Sequence, residues 1–269
     1  MAASQAKKAE AFRALHEGGT FVIPNPWDAG SARVLEALGF EALATSSAAF
    51  AFTRGRLDGD VTLDDVAGHI AELCDASDLP LSADLEDGYG DAPEDAARAI
   101  TRAAQAGAVG GSIEDYSPRK ESLYDLGHAV ERVTAAVEAA RVLDFPFTLT
   151  ARAEEFFRNR DAPDLDAAIE RLQAYERAGA DVVYAPRLLS LDQIRAVCDA
   201  VEKPVNVLAF AQLGLSANEI GAAGVRRISV GSLLSLVAID AFADAARQIR
   251  ETGDFSALAA HPPVNEWLA

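Results

Sequence analysis

Cysteine is scarce in this sequence: only Cys74 and Cys198 occur among 269 residues, far apart and each within a segment of helical periodicity. Two such residues indicate neither a disulfide framework nor a zinc-type cluster. Long apolar runs are also missing, since no stretch of about twenty apolar residues marks a membrane span. The sequence also has no basic start of the kind that marks a signal peptide. We therefore expect a protein of the reducing cytoplasm that has no membrane partner.

Positive charge is the second shortage. The sequence contains 24 Lys and Arg against 42 Asp and Glu, which gives a formal net charge of −18 at pH 7. Binding to nucleic acid or to an anionic membrane needs clustered Lys and Arg, so we expect no nucleic-acid partner. A mass of 28.4 kDa instead suits one large α/β domain with a substantial core.

Glycine and proline mark a regular alternation of helices and strands. Four strand-like runs follow a glycine at the end of a helical segment, and three begin after a proline, which suits the first residue of a strand. With an opening strand near Thr20, the pattern predicts eight βα units and therefore a (β/α)8 TIM barrel. The predicted strands cover residues 20–24, 41–46, 80–85, 109–114, 147–152, 181–185, 204–208 and 226–230. We expect a single domain over residues 1–255 and a C-terminal tail over residues 256–269.

The third predicted strand ends in three carboxylates, Asp84, Glu86 and Asp87, followed by Gly88-Tyr89-Gly90. Carboxylates crowded at the end of a buried strand repel one another and lose hydration, so their charged forms need a cation or donor groups. Mg²⁺ takes oxygen ligands, often one or two carboxylates with several waters, and alternation places Asp84 and Glu86 on one face. The segment predicts a magnesium site, and an ion pair with Arg152 is the alternative.

Other polar residues also follow predicted strands, where the active sites of TIM barrels lie. They include Asn25, Thr45, Ser46, Ser47, Glu114, Asp115, Arg152, Glu154 and Arg187. The order and spacing of several segments resemble the isocitrate lyase/phosphoenolpyruvate mutase superfamily over roughly residues 21–255. The segments that carry the resemblance are residues 24–32, 45–47, 55–58, 84–90, 113–115 and 150–152.

The resemblance implies ligands, substrate and assembly. It implies that Mg²⁺, with Mn²⁺ as a substitute, is held by Asp84, Glu86, Glu114 and Asp58. It also implies that the carboxylate and oxo oxygens of a small 2-oxo or 2-hydroxy acid are bound by Asp84, Thr45, Ser46, Ser47 and Arg152. Asn206 resembles an asparagine of the lyase members, so we expect it to bind substrate as well. Members of the superfamily are usually tetramers that exchange the last helix, and we expect a homotetramer or a homodimer.

That likeness also implies a chemistry, in which Mg²⁺ stabilises the enolate left when a bond next to a 2-oxo group breaks. We expect Arg152, Glu114 and Lys120 to take part in catalysis. The loop Ser117–Tyr124 lacks the cysteine of the Lys-Lys-Cys-Gly-His motif of isocitrate and methylisocitrate lyases, so ordinary cleavage of those two substrates is not expected. Lys120 could equally be a solvated loop charge.

Three functions follow from these features. The first is a Mg²⁺-dependent lyase that cleaves or decarboxylates a small 2-oxo or 2-hydroxy di- or tricarboxylate. The second is a phosphorus–carbon enzyme similar to phosphoenolpyruvate mutase or phosphonopyruvate hydrolase, indicated by Lys120, Ser122 and Leu123, although Glu121 would repel a phosphoryl group. The third is a barrel that binds a 2-oxo acid without turnover, indicated by the missing cysteine.

A long predicted helix near the C-terminus, Leu233 to Glu251, carries one apolar stripe. The stripe can pack on a neighbouring subunit as easily as on the helix's own barrel, and only the family resemblance favours exchange. The four histidines fall on predicted helices or in the tail, and we assign them no chemistry. They are His16, His69, His128 and His261.

Overall fold

The structure is a computed structural model that describes residues 3–259 and 262–268. It contains ten strands, eight of which are parallel and form the barrel sheet. The strands are β1 (Phe21–Ile23), β2 (Leu43–Ala44), β3 (Leu81–Asp84), β4 (Gly110–Glu114), β5 (Tyr116–Ser117), β6 (Ser122–Leu123), β7 (Thr148–Arg152), β8 (Val182–Tyr184), β9 (Val205–Leu208) and β10 (Arg227–Ser229). His261, to which the sequence assigned no chemistry, lies outside the described residues.

The barrel strands follow one another in the order β1-β10-β9-β8-β7-β4-β3-β2, and every neighbouring pair is parallel. Between the two end strands, the amide of Ala44 donates to the carbonyl oxygen of Pro24 at 3.0 Å. The amide side chain of Asn25 donates to the carbonyl oxygen of Thr45 at 2.9 Å. These bonds bring the ends of the sheet together, so the predicted (β/α)8 TIM barrel is confirmed.

Twelve α-helices accompany the strands in the part of the chain that the structure describes, and most of the longer ones form the outer layer. They are α1 (Gln5–Glu17), α2 (Ala29–Ala37), α3 (Ser47–Thr53), α4 (Leu63–Ala76), α5 (Pro93–Gln105), α6 (Leu126–Arg141), α7 (Glu155–Arg158), α8 (Leu165–Arg177), α9 (Leu191–Ala200), α10 (Ala217–Ala222), α11 (Leu233–Thr252) and α12 (Val264–Trp267). Several begin at a Ser, Thr or Asp whose side chain accepts a hydrogen bond from the first turn, as Thr62 does for α4 and Ser190 for α9. This capping explains where the helices start.

Helix α1 closes the N-terminal end of the barrel. Its residues Ala9 and Phe12 are fully buried and pack with Phe21 and Val109, which lie at the starts of β1 and β4. Gly110 is necessary at this contact, because a Cβ atom there would lie 2.7 Å from the Phe12 ring. The opposite, C-terminal end of the barrel therefore remains available for a site.

The segment after β4 is a short antiparallel hairpin rather than an irregular loop. Strands β5 and β6 pair Tyr116 with Leu123 and Ser117 with Ser122. Glu121 lies in the turn with φ 51°, in the left-handed region. Two-residue strands are too short to show an alternating pattern, so the sequence predicted only a loop here.

Helix α11 packs little of its surface against its own chain. Within the described part of the chain, Ser235 is the only buried residue of this 20-residue helix, and Val237 and Phe242 are 67% and 76% exposed. The C-terminal tail beyond α11 returns to the barrel at α2, where Arg33 donates to the carbonyl oxygen of Leu268 at 2.8 Å. Helix exchange stays a prediction, as do the domain limits at residue 255. Among the described residues, no helix is long and apolar enough to cross a membrane.

Candidate active site

Asp84 ends β3 and is held in place from two sides. The hydroxyl oxygen of Thr45 accepts a hydrogen bond from the amide of Asp84 at 2.7 Å. The amide of Ser47, at the start of α3, donates to Oδ2 of Asp84 at 3.1 Å, and Nη1 of Arg152 lies 3.9 Å from Oδ1. The predicted serine-rich segment and the predicted arginine thus converge on the predicted metal ligand.

Arg152 is partly buried among acidic side chains at the end of β7. Its Nη1 lies 3.4 Å from Oε2 of Glu114, and its Nε donates to Oε1 of Glu154. Burial alone would lower the pKa of Arg152, but the charges of Glu154 and Glu114 raise that pKa well above its usual value. Burial and the charge of Glu154 raise the pKa of Glu114. Arg158 shares both carboxylates, at 3.3 Å from Glu114 and 3.1 Å from Glu154.

Glu86 and Asp58 complete the acidic group. Burial raises the pKa of Glu86 to about 8, and the negative charges of Asp84 and Asp58 add to the rise. Oε1 of Glu86 accepts a hydrogen bond from the hydroxyl of Tyr89 at 3.1 Å. Asp58 lies in a solvent-exposed loop, and its pKa is nevertheless raised by partial desolvation and by Asp84. The four predicted metal ligands therefore act on one another electrostatically.

This donor set fits a hard cation, because every member is a carboxylate and the like charges are relieved by positive charge. The described side chains contain no group of three or more His, Cys, Asp and Glu residues arranged to enclose a metal ion. Among hard cations, Mg²⁺ keeps several waters and uses one or two protein carboxylates directly.

A cavity of about 70 Å³ opens beside Asp84 into the barrel. Its wall contains five of the predicted site residues, namely Thr45, Ser46, Asp84, Arg152 and Asn206. Ser46 also caps α3, because its hydroxyl oxygen accepts from the amide of Ala49 at 3.4 Å. The amide nitrogen of Asn206 donates to the hydroxyl oxygen of Ser229 at 3.0 Å, and its Oδ1 accepts from Nε of Arg227 at 2.9 Å, so Asn206 connects β9 to two residues of β10.

Lys120 does not lie with the other predicted catalytic residues. Its ammonium group is 3.7 Å from Oδ2 of Asp91 and 5.7 Å from the centre of the Tyr124 ring. The same aspartate accepts from the hydroxyls of Ser117 and Tyr124 at 2.8 Å and 2.7 Å. Lys120 therefore belongs to a polar network that holds the hairpin against the loop after β3.

Sequence reasoning assigned no role to two residues of the cavity wall, Tyr184 and Arg227. In the sheet register, Glu114, Arg152, Tyr184, Asn206 and Arg227 form one continuous row across β4, β7, β8, β9 and β10. Register neighbours in a parallel sheet point to the same face, which explains why these polar residues share the barrel interior. The sequence did carry a signal, because Arg227 and Ser229 alternate with apolar residues in a strand otherwise predicted as buried.

Comparison with known proteins agrees with this geometry. The sequence profile of the family described as phosphoenolpyruvate phosphomutase matches residues 12–250. The 2-methylisocitrate lyase of Escherichia coli (strain K12) is 33% identical over 207 residues, which cover 73% of this chain and 68% of the lyase.

Solved structures extend the similarity over almost the whole chain. A lyase/mutase of Burkholderia cenocepacia J2315, so named provisionally, is 53% identical with a TM-score of 0.94, covering 98% of this chain and 96% of that one. An oxaloacetate acetylhydrolase solved with its product oxalate is 26% identical with a TM-score of 0.86, covering 98% of this chain and 93% of that one. The profile match and these similarities together show that the chain belongs to the phosphoenolpyruvate phosphomutase family, within the isocitrate lyase/phosphoenolpyruvate mutase superfamily.

Proposed function

We propose that the protein is a Mg²⁺-dependent lyase that cleaves or decarboxylates a small 2-oxo or 2-hydroxy di- or tricarboxylate through an enolate. One observation carries the proposal: Asp84 is held by Thr45, Ser47 and Arg152 at the mouth of a cavity. Its charge also interacts with those of three further carboxylates, Asp58, Glu86 and Glu114.

Asp84 and Glu86 would hold the ion directly, and Asp58 and Glu114 would contact its waters. Bound there, Mg²⁺ would supply positive charge to the oxygen on which negative charge develops during bond cleavage. Arg152 binds the substrate carboxylate with the guanidinium edge that faces Asp84 and Glu114. Glu154 keeps that guanidinium in one orientation by accepting from Nε of Arg152, and Arg158 holds Glu154 in turn by donating from Nε to its Oε2 at 3.1 Å.

The relatives support carbon–carbon chemistry, because one is a 2-methylisocitrate lyase and another is an oxaloacetate acetylhydrolase with oxalate as its product. The second candidate, phosphorus–carbon bond cleavage, is favoured by the phosphomutase profile and by Lys120, Ser122 and Leu123 on the hairpin. Lys120 pairs with Asp91 and lies outside the cavity wall, which makes this candidate the weaker one.

The test is release of 2-oxo acids from oxaloacetate, 2-methylisocitrate, isocitrate, dimethylmalate and phosphonopyruvate, with Mg²⁺ and with a chelator. We expect turnover of at least one carbon substrate above the metal-only background, and loss of that turnover in the chelator. Asp84→Ala should abolish turnover and Mg²⁺-dependent oxalate binding with the fold intact by circular dichroism.

Asp199→Ala is the matched control, because Asp199 is exposed on α9 far from the cavity. Turnover of phosphonopyruvate alone would favour the second candidate. Tight Mg²⁺-dependent binding without turnover of any substrate would indicate a binding protein. Unchanged oxalate affinity in Asp84→Ala would contradict the site assignment itself.

A further inference from the structure

Arg227 is the first residue of β10 and lies at the N-terminal floor of the cavity that Asp84 and Arg152 line at its mouth. Its side chain is 5% exposed. Its Nε donates to Oδ1 of Asn206 at 2.9 Å, and its Nη2 donates to the hydroxyl oxygen of Thr150 at 2.8 Å. Nη1 has no hydrogen-bond partner among the described residues. Two neutral groups therefore orient the guanidinium, and both N–H groups of Nη1 have no partner among the described residues.

The positive charge of Arg227 also has no counter-charge nearby among the described residues. No Asp or Glu of residues 3–259 and 262–268 lies within 4 Å of it, whereas Arg152 has Asp84, Glu114 and Glu154 within that range. Burial lowers the pKa of Arg227 to about 10, so the side chain remains a cation at neutral pH. A buried charge without a counter-charge is costly, and an anionic ligand is the natural partner in a cavity.

The sheet register indicates that Arg227 lies at the opposite end of the cavity from Arg152, because the two residues belong to one row of register neighbours. Arg152 is the last residue of β7, and Arg227 is the first residue of β10. Because barrel strands are tilted, a row of register neighbours runs from the mouth to the floor. The charge of Arg227 also reaches His16 of α1 at the closed end, where burial and then Arg227 lower the pKa of His16 to about 3.

Small side chains leave room between the two ends of the cavity. Ala44, Ser82 and Ser112 line the wall on β2, β3 and β4. The mouth is acidic and suits a divalent cation, and the floor is cationic. A ligand that spans the cavity would therefore meet a metal-binding end and an anion-binding end.

We infer that Arg227 forms an anion subsite at the floor, which takes the far carboxylate of a dicarboxylate ligand whose 2-oxo end lies at the acidic mouth. The orientation of the ligand rests on the proposed function, but the anion subsite does not. Arg227 thereby selects 2-oxo dicarboxylates over 2-oxo monocarboxylates of the same length. Asn206 and Thr150 act as positioning residues for its guanidinium.

The experiment compares matched ligands that differ only in the far carboxylate. Oxaloacetate is paired with 2-oxobutanoate, and 2-oxoglutarate with 2-oxopentanoate, in competition with oxalate in the presence of Mg²⁺. Arg227→Gln should weaken binding of the dicarboxylates about 10- to 100-fold, the usual range for a lost hydrogen bond to a charged group. Affinity for the monocarboxylates and for oxalate should change less than about twofold.

Arg226→Gln is the matched control, because it removes the same charge from the neighbouring, exposed position. Arg227→Lys keeps the charge and should restore part of the preference. Equal losses for both members of each pair, or unchanged dicarboxylate affinity, would overturn the subsite.

A second experiment, carried out without metal, tests the anion subsite independently of the proposed function. With a chelator present, succinate should raise the melting temperature of the wild type and of Arg226→Gln, but not that of Arg227→Gln. Failure of oxalate to bind the wild type with Mg²⁺ would refute the proposed function, while the succinate result still decides the subsite. Equal stabilisation of all three proteins by succinate would mean that the anion binds elsewhere.

Discussion

Glu86 lies in a strained and strongly charged loop. Its φ of 48° and the φ of 62° at Tyr89 lie in the left-handed region, which costs a non-glycine residue about 1–2 kcal/mol. Between them, Gly88 has φ 79°, and a Cβ atom there would lie 2.9 Å from Cα of Ala96. The turn therefore needs glycine at this position, and it directs Glu86 back toward Asp84, where their charges oppose each other.

This environment predicts an unusual pH dependence of the metal-free protein. The pKa of Glu86 is raised from 4.5 to about 8 in the folded state, so the folded state holds a proton that the unfolded chain has lost. The resulting stability is full below pH 4.5 and is lost as pH rises through about 8. In a chelator, the free energy of unfolding should fall by up to about 5 kcal/mol between pH 5 and 9, as measured by urea denaturation.

Glu86→Gln should remove most of that fall, because glutamine resembles the protonated carboxyl group and has no charge to lose. Glu72→Gln serves as the control, since Glu72 is exposed on α4. If the wild type and Glu86→Gln lost the same stability over this range, the raised pKa of Glu86 would be wrong.

At the scale of elements, two carboxylates of the loop after β3 hold the hairpin β5–β6. Asp87 accepts from Arg119 and from Tyr124, and Asp91 makes the larger number of contacts. Oδ1 of Asp91 accepts from Ser117, from Tyr124 and from the guanidinium of Arg119, the last at 3.2 Å. Oδ2 lies 3.7 Å from the ammonium group of Lys120. The hairpin has only two paired residues in each strand, so its own ladder cannot keep it in place.

Asp91→Asn should therefore loosen the hairpin more than the barrel. The change removes the negative charge that two cations share, and we expect a local loss of about 1–2 kcal/mol. Opening should then become about 5- to 30-fold more frequent. Limited proteolysis with trypsin measures this directly, since Arg119 and Lys120 are the cleavage positions in the turn.

Asp161→Asn changes an exposed aspartate in a different loop and should leave the cleavage rate unchanged. Hairpin cleavage at the wild-type rate in Asp91→Asn would mean that Asp91 does not hold this element.

At the scale of the whole molecule, the described part of the chain leaves much of the apolar surface of α11 uncovered. Its exposed apolar side chains include Leu236, Val237, Ile239 and Phe242, and Phe255 beyond the helix is 62% exposed. Monomeric proteins rarely expose an apolar patch of this kind. The observation supports the predicted assembly of several copies, with α11 packed on a neighbouring subunit.

Val237→Asp combined with Phe242→Asp should reduce the molar mass in solution to that of one chain. Burying two unpaired carboxylates in an interface costs several kcal/mol, which raises the dissociation constant at least about 100-fold. Light scattering after size-exclusion chromatography measures the mass across a concentration series.

Val142→Asp is the control, because Val142 is 84% exposed at the end of α6, away from α11. A wild type that is monomeric at every concentration would contradict helix exchange.

Much of the barrel could be predicted because local residue patterns, chiefly the glycines and prolines before the strands, mark each βα repeat. Every barrel strand lies inside its predicted range, as Thr148–Arg152 lies inside 147–152. The hairpin could not be predicted, since two-residue strands leave no period. The metal and substrate roles of Asp84, Glu86, Glu114, Asp58 and Arg152 stay predictions, although the structure brings these side chains to one place.

The sequence by itself determined the eight-stranded barrel and its acidic mouth. Both depend on local order, because glycines and prolines mark the strand starts and the C-terminal ends of parallel strands meet at one face. Only the tertiary structure decided that Lys120 pairs with Asp91, that Arg227 has no carboxylate within 4 Å among the described residues, and that α11 leaves most of its apolar side chains exposed. These facts depend on distances between residues far apart in the chain, such as Arg227 and Thr150, which are 77 positions apart and in hydrogen-bond contact.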